Sequence, residues 1–207
     1  MHRRGRGTAR RRPTAAMNIP NTITMARLFM TALVFVCLEW HAPVQQHGST
    51  TLPWLAFALF LLAAVTDFLD GYLARRWNMV TAFGRIADPF ADKILIAGTM
   101  ISLLQFDRAT VVLTHWYVVV VIAREFLVTA IRGYVESTGQ AFGADRLGKW
   151  KMFSQCWTVG ALLAMVASCD WFHWAAVGGF WVSLVLTVVS GLNYCFKARH
   201  IILEGGA

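Results

Sequence analysis

The chain has 207 residues, of which 57% are apolar and 14% charged, and its mean hydropathy is +0.53. Since a soluble domain carries about 25% charged and about 45–50% apolar residues, this composition excludes both a soluble globular protein and a disordered one. The formal net charge is nevertheless +8, and apolar sequence with excess positive charge is typical of a membrane protein with basic cytoplasmic loops.

The chain begins with a basic segment, residues 1–16, that contains six Arg and no acidic residue. It is not a signal peptide, because no apolar segment with a small-residue cleavage site follows in the right order. We predict a disordered tail, with Met17 as a candidate initiator; the alternative is a polybasic patch that binds anionic lipid head groups. Residues 17–207 are then predicted to form one membrane domain.

Gaps between charged residues mark six predicted helices along the domain. A membrane crossing takes about 20 apolar residues, and several of these stretches reach that length only with their charged ends included. In chain order the predicted helices cover residues 22–38, about 51–75, about 88–104, about 109–135, 152–169 and a segment within 171–196.

Basic residues are confined to alternate connections. They lie at the N-terminus, in 75–86, in 136–151 and near the C-terminus, whereas the opposite loops, 39–50, 105–110 and 169–173, contain only Arg108. By the positive-inside rule both termini are cytoplasmic, which requires an even number of crossings. The sequence therefore predicts an all-α polytopic membrane protein with six transmembrane helices.

Four carboxylates stand where the second and third predicted helices approach the same side. Asp67 and Asp70 are three residues apart, and Asp88 and Asp92 are four apart, so each pair shares a helix face. Four acids at a membrane boundary repel one another and lose hydration, so they need a cation between them. Oxygen ligands favour Mg²⁺, Mn²⁺ or Ca²⁺ over zinc. The alternative, that each Asp is only a cap or an interfacial charge, does not explain this spacing.

Small residues and one arginine accompany the acids. Gly71 and Ala74 leave the backbone accessible on the same surface, and Arg75 offers a planar donor pair suited to phosphate. A divalent cation beside a phosphate-binding arginine indicates a nucleotide or diphosphate substrate.

By this pattern the chain resembles the CDP-alcohol phosphotransferase family. It matches every fixed position of the family signature, namely Asp67, Asp70, Gly71, Ala74, Arg75, Gly84, Asp88 and Asp92. The resemblance implies a six-helix, dimeric membrane enzyme in which an alcohol displaces CMP from a CDP-linked substrate.

The resemblance also implies a role for each signature residue. The ligands of a divalent metal, Mg²⁺ or Mn²⁺, would be Asp67, Asp70 and Asp88. The general base for the attacking hydroxyl would be Asp92. The CDP pocket would be formed by Gly71, Ala74, Arg75 and Gly84.

Three further segments are similar to the branch of the family that transfers a phosphatidyl group from CDP-diacylglycerol to sn-glycerol 3-phosphate. They are NIPNTITMAR at 18–27, IAREFLVTAIR at 122–132 and LGKWKM at 147–152. The resemblance implies phospholipid biosynthesis in the bacterial cytoplasmic membrane, with the site on the cytoplasmic side. The basic charge does not indicate a nucleic-acid partner, because it is confined to loops and one tail. Phosphatidylglycerol, inositol phosphate or serine as acceptor remains the alternative, and a small cation transporter a remote one.

A dianionic acceptor needs cations in its pocket, and the fourth predicted helix supplies two. Arg124 costs about 3 kcal/mol inside the membrane unless it is paired or faces a cavity. Arg132 follows eight residues later, close to the same helix face. The alternative for Arg124 is a structural ion pair, since Glu125 is adjacent.

Two more cations are candidates for binding the acceptor phosphate. Lys149 and Lys151 are two residues apart and point to different sides, so we expect at most one to face the substrate and favour Lys149. The alternative is that these lysines only mark topology. Arg27, in the first predicted helix, either lines the pocket or extends to the lipid head groups.

Overall fold

A computed structural model describes residues 19–41, 50–77, 82–137 and 146–204, and this part of the chain is helical without any strand. The prediction of an all-α fold is thus confirmed. In chain order the elements are α1 Ile19–His41, α2 Thr51–Trp77, α3 Ala82–Lys93, a π-helical turn Ile94–Gly98, α4 Thr99–Leu103, α5 Asp107–Thr110, α6 His115–Ser137, α7 Arg146–Val166, a 3₁₀ turn Asp170–Phe172, and α8 His173–Glu204.

These elements form six long helical segments within the described ranges, because α3, the π-helical turn and α4 continue into one another. Several boundaries differ from the prediction. The third segment already begins at Ala82, and the fourth is interrupted between Thr110 and His115. α7 begins at Arg146, six residues before the predicted start, and α8 continues to Glu204, eight residues past the predicted segment. The basic tail, residues 1–16, lies outside the described residues.

Two helices in the described part are long and apolar enough to cross a membrane. They are Thr22–His41, with 20 residues, and Asp170–Arg199, with 30. A shorter apolar helix covers Thr51–Asp67. In α6 and α7, charged side chains such as Arg124 and Lys151 interrupt the apolar sequence.

The helices pack so that α1 lies against α2 and α3, and α8 against α6 and α7. The buried face of α1 shows three- and four-residue spacing, as expected for one side of a helix. It consists of Thr24, Arg27, Thr31, Val34, Cys37, Leu38 and His41. Arg27 therefore belongs to the inner face of α1 and does not extend to the head groups.

A tight turn joins α7 to α8. Ser168 adopts a left-handed conformation, with φ of 71°, and the amide of Cys169 donates to the carbonyl of Ala164 at 3.0 Å. These are the features of a Schellman helix end. Further along, Gly179 of α8 packs so closely on α7 that an added Cβ would lie 2.8 Å from Thr158 Oγ1.

Candidate active site

Two of the four predicted acids meet at one buried cation. Nη1 of Arg27 lies 2.6 Å from Oδ1 of Asp67 and 2.9 Å from Oδ1 of Asp92. The arginine side chain is fully buried, whereas the two carboxylates keep 19% and 28% exposure. Because the three residues belong to α1, α2 and α3, this contact is where the first three helical segments join.

The donor chemistry fits a divalent cation as far as the described side chains extend. Asp67 and Asp92 bring carboxylate oxygens from separate helices to the same point, and hard cations prefer such ligands. No three or more His, Cys, Asp or Glu side chains form a metal site within the described part. The remaining signature residues lie in α2 and α3, but their side chains are outside the described residues; they are Asp70, Gly71, Ala74, Arg75, Gly84 and Asp88.

A cavity of about 430 Å³ opens beside Asp92, between the third segment, α6, α7 and α8. Its lining is rich in charge. The charged lining residues are Asp92, Lys93, Arg124, Glu125, Arg132, Glu136, Lys149 and Lys151. Three of the four cations predicted to bind the acceptor phosphate thus line the same cavity as the predicted base, and the fourth, Arg27, contacts that base from α1.

Arg124 is held by partners on both sides. Its Nη1 donates to Oε1 of Glu125 at 3.1 Å, and its Nη2 donates to Oγ of Ser190 at 2.9 Å. Gly191 leaves room for this side chain, since a Cβ there would lie 3.2 Å from Arg124 Cγ. Lys151 Nζ also donates to Glu125 Oε1. Arg124 therefore both forms the structural ion pair with Glu125 and lines the cavity.

Arg124 and Arg132 both lie close to the ring of Tyr194. Nη2 of Arg132 donates to Tyr194 Oη at 3.0 Å, and the two guanidinium carbons are 5.9 and 5.6 Å from the ring centroid. Each arginine also has a buried Nε that has no hydrogen-bond partner among the described residues. Buried donors without an acceptor are costly, so this arrangement favours an anion in the cavity.

Lys149 and Lys151, at the start of α7, both line the cavity. This differs from the expectation from sequence that at most one of them would face the substrate. Lys149 is exposed, whereas the Lys151 side chain is only 7% exposed and reaches Glu125. The flexible four-carbon stems allow two positions on different sides of the helix to approach the same space.

The family model described as CDP-alcohol phosphatidyltransferase matches residues 17–189. The chain belongs to this family. It is 38% identical over 187 residues to the CDP-diacylglycerol–glycerol-3-phosphate 3-phosphatidyltransferase of Bacillus subtilis, covering 87% of this chain and 94% of that one. The protein of the same name from Escherichia coli K12 is 34% identical over 193 residues, or 90% and 98% of the two chains. The one from Rickettsia felis is 32% identical over 183 residues, or 87% and 94%.

In this member of the family, α8 supplies a buried polar stripe that the sequence reasoning missed. Its side chains recur every three or four residues in an otherwise apolar helix, and that spacing is the signal that would have revealed them. Each contacts a different residue of α6 or α7. The pairs are Ser183 with Tyr117, Thr187 with Gln155, Ser190 with Arg124, and Tyr194 with Arg132.

Proposed function

We propose that the protein transfers the phosphatidyl group of CDP-diacylglycerol to sn-glycerol 3-phosphate, giving phosphatidylglycerol phosphate and CMP. The observation that carries this proposal is the cavity that places Arg124 and Arg132 beside Asp92. The names of its relatives in three bacteria agree with the same donor and acceptor.

The acceptor phosphate is proposed to occupy the cationic part of the cavity. A dianion is bound well by charged donors, and the guanidinium groups of Arg124 and Arg132 can each present more than one N–H. Lys149, exposed at the same cavity, adds a mobile positive charge. Neither phosphatidylglycerol nor serine would bring a dianion to these cations, so the cavity favours a phosphorylated acceptor.

In the proposed reaction Asp92 accepts the proton of the free primary hydroxyl of glycerol 3-phosphate. The hydroxyl oxygen forms a bond to the phosphorus that carries diacylglycerol, and the bond from that phosphorus to CMP breaks. General-base assistance of this kind contributes about 10²–10⁴-fold to rate. Holding the acceptor phosphate in the cavity aligns nucleophile and phosphorus, which supplies much of the remaining acceleration.

The donor would be held by the signature residues. Asp67, Asp70 and Asp88 are proposed to bind Mg²⁺ or Mn²⁺, which neutralises the diphosphate and stabilises CMP as leaving group. The CDP group is proposed to lie against the backbone of α2 and α3 at Gly71, Ala74, Arg75 and Gly84.

The proposed setting is the bacterial cytoplasmic membrane, with six crossings, both termini and the active site on the cytoplasmic side, and a homodimer. The six long helical segments of the described ranges and the basic residues on alternate connections support it. Both lipids stay in the bilayer, while CMP and glycerol 3-phosphate exchange with the cytosol.

The test is an acceptor series with the purified full-length protein in mixed micelles that contain CDP-diacylglycerol and Mg²⁺. We expect CMP release with sn-glycerol 3-phosphate and none above background with phosphatidylglycerol, inositol phosphate or serine. CMP release with one of those alcohols, and not with glycerol 3-phosphate, would contradict the proposed acceptor. Cation flux in liposomes without CMP formation would contradict the reaction class.

A further inference from the structure

Arg27 is fully buried although it is always charged. It lies on the inner face of α1 between Thr24 and Thr31, which are also buried. Guanidinium cannot lose its proton in a protein, so the burial must be compensated by anionic partners. Among the described residues, its ion-pair partners include the two carboxylates of the candidate active site.

A single nitrogen makes both contacts. Nη1 of Arg27 is 2.6 Å from Asp67 Oδ1 and 2.9 Å from Asp92 Oδ1, and it donates a hydrogen bond to the latter. One cationic group therefore holds together two acids that would otherwise repel each other. It also fixes the rotation of the Asp92 carboxylate, because Oδ1 is engaged.

Among the described residues, Asp92 lines the acceptor cavity and Arg27 does not. An arginine that binds the acceptor phosphate would be expected to line that cavity, as Arg124 and Arg132 do. The described ion pairs of Arg27 are instead with Asp67 of α2 and Asp92 of α3.

We propose that Arg27 is a positioning residue for the reaction: it orients the Asp92 carboxylate for proton abstraction and does not bind the acceptor phosphate. This inference rests on the proposed function. A misplacement of about 1 Å at the reacting groups costs about a hundred-fold in rate, so the effect of removing Arg27 is expected in kcat. KM for glycerol 3-phosphate is expected to stay near its original value.

The experiment compares wild type, Arg27→Gln and Arg27→Lys as full-length proteins in mixed micelles. For Arg27→Gln we expect kcat to fall about a hundred-fold and KM for glycerol 3-phosphate to change less than about three-fold. Arg27→Lys should recover at least about ten-fold of that loss, because one Lys Nζ can replace the single nitrogen that contacts both acids. Mn²⁺ affinity, measured by electron paramagnetic resonance, should not fall, since Arg27 is not a ligand and its removal takes a positive charge away from the proposed ligand Asp67.

Arg108→Gln is the matched control, because its Nη1 also contacts an aspartate, Asp170, at 2.8 Å, but in an exposed pair away from the cavity. Its kcat should stay within about two-fold of wild type. A KM raised ten-fold at nearly unchanged kcat in Arg27→Gln would overturn the proposal, because Arg27 would then bind the acceptor. Unchanged kcat, or a ten-fold loss of Mn²⁺ affinity, would overturn it as well.

Two further outcomes keep the test decisive. If Arg27→Gln does not fold, Arg27→Lys alone is compared with wild type, and a ten-fold rise in KM for the acceptor without loss of kcat overturns the proposal. If the wild type releases CMP only with another alcohol, the proposed acceptor fails, and the same kcat and KM ratios measured with that alcohol still decide the role of Arg27.

Discussion

At the level of single residues, the two acids that contact Arg27 should differ in function. Changing each one to asparagine should affect turnover and lipid binding differently. Asp92→Asn should lower kcat by about 10²–10⁴-fold and keep metal-dependent binding of CDP-diacylglycerol, because it removes the proposed base only. Asp67→Asn should weaken both turnover and binding, because it removes a proposed metal ligand. Equal loss of lipid binding in the two variants, measured with labelled CDP-diacylglycerol, would mean that Asp92 is also a ligand.

Glu125 should contribute to stability, because it compensates two buried cations at once. Glu125→Gln leaves Arg124 and Lys151 without their shared carboxylate, so we expect the free energy of unfolding to fall by about 1–3 kcal/mol. Added glycerol 3-phosphate should raise the thermal midpoint more in this variant than in wild type, since the dianion replaces the lost charge.

Glu39→Gln is the control for that measurement, since Glu39 is exposed and accepts a hydrogen bond only from the neutral side chain of Gln105 among its contacts within the described part. A thermal midpoint of Glu125→Gln equal to that of Glu39→Gln would contradict the compensating role of Glu125.

How far the site could be predicted also depends on the residue. The spacing of Asp67 with Asp70 and of Asp88 with Asp92 points to a site from sequence alone. The predicted intramembrane position of Arg124 does so as well. The position of Arg27 does not follow from sequence, because it depends on how three helical segments pack. Helix position alone favours Lys149 over Lys151, yet both line the cavity. The reason is that the helix face decides direction reliably only for short side chains.

At the element scale, the close packing of α7 and α8 should depend on one glycine of an adjacent pair. Gly179→Ala places a methyl group 2.8 Å from Thr158 Oγ1 and 2.9 Å from Trp157 Cδ1, so we expect a loss of about 1–3 kcal/mol in unfolding free energy. Gly178→Ala meets no atom within 4 Å and should be neutral or slightly stabilising. Thermal unfolding in detergent compares the two, and equal midpoints would contradict this packing.

The existence of the helices could be predicted better than their ends. Charge gaps locate each long segment, but they cannot detect a break inside apolar sequence, such as the one between α5 and α6. That break follows Thr110, where Val111 and Val112 form a turn before α6 begins at His115. Charge gaps also miss the early start of α7 at Arg146, because charged residues at a membrane boundary can extend a helix into water.

At the scale of the whole molecule, the basic tail should be separable from the enzyme. Six of its sixteen residues are Arg, and the family match begins only at residue 17. A protein that starts at Met17 should keep kcat and KM within about two-fold and remain in the membrane fraction. Release from membranes or a ten-fold loss of activity would show that the tail binds lipid or supports the fold.

Charge is distributed unevenly over the molecule. Acids and cations that are rare in the apolar sequence gather around one cavity, which Asp92 and the partly buried cations of α6 line together. These cations are proposed to bind the phosphate of the acceptor. A substitution of Arg132 tests this binding, since Arg132 donates a hydrogen bond to Tyr194 and has a buried Nε without a partner in the described part.

The decisive measurement is the steady-state kinetics of Arg132→Gln with glycerol 3-phosphate as the varied substrate. A hydrogen bond between charged groups contributes about 1.5–3 kcal/mol, so KM for glycerol 3-phosphate should rise at least about ten-fold. KM for CDP-diacylglycerol and kcat should change less than about three-fold. An unchanged KM for glycerol 3-phosphate would contradict the account.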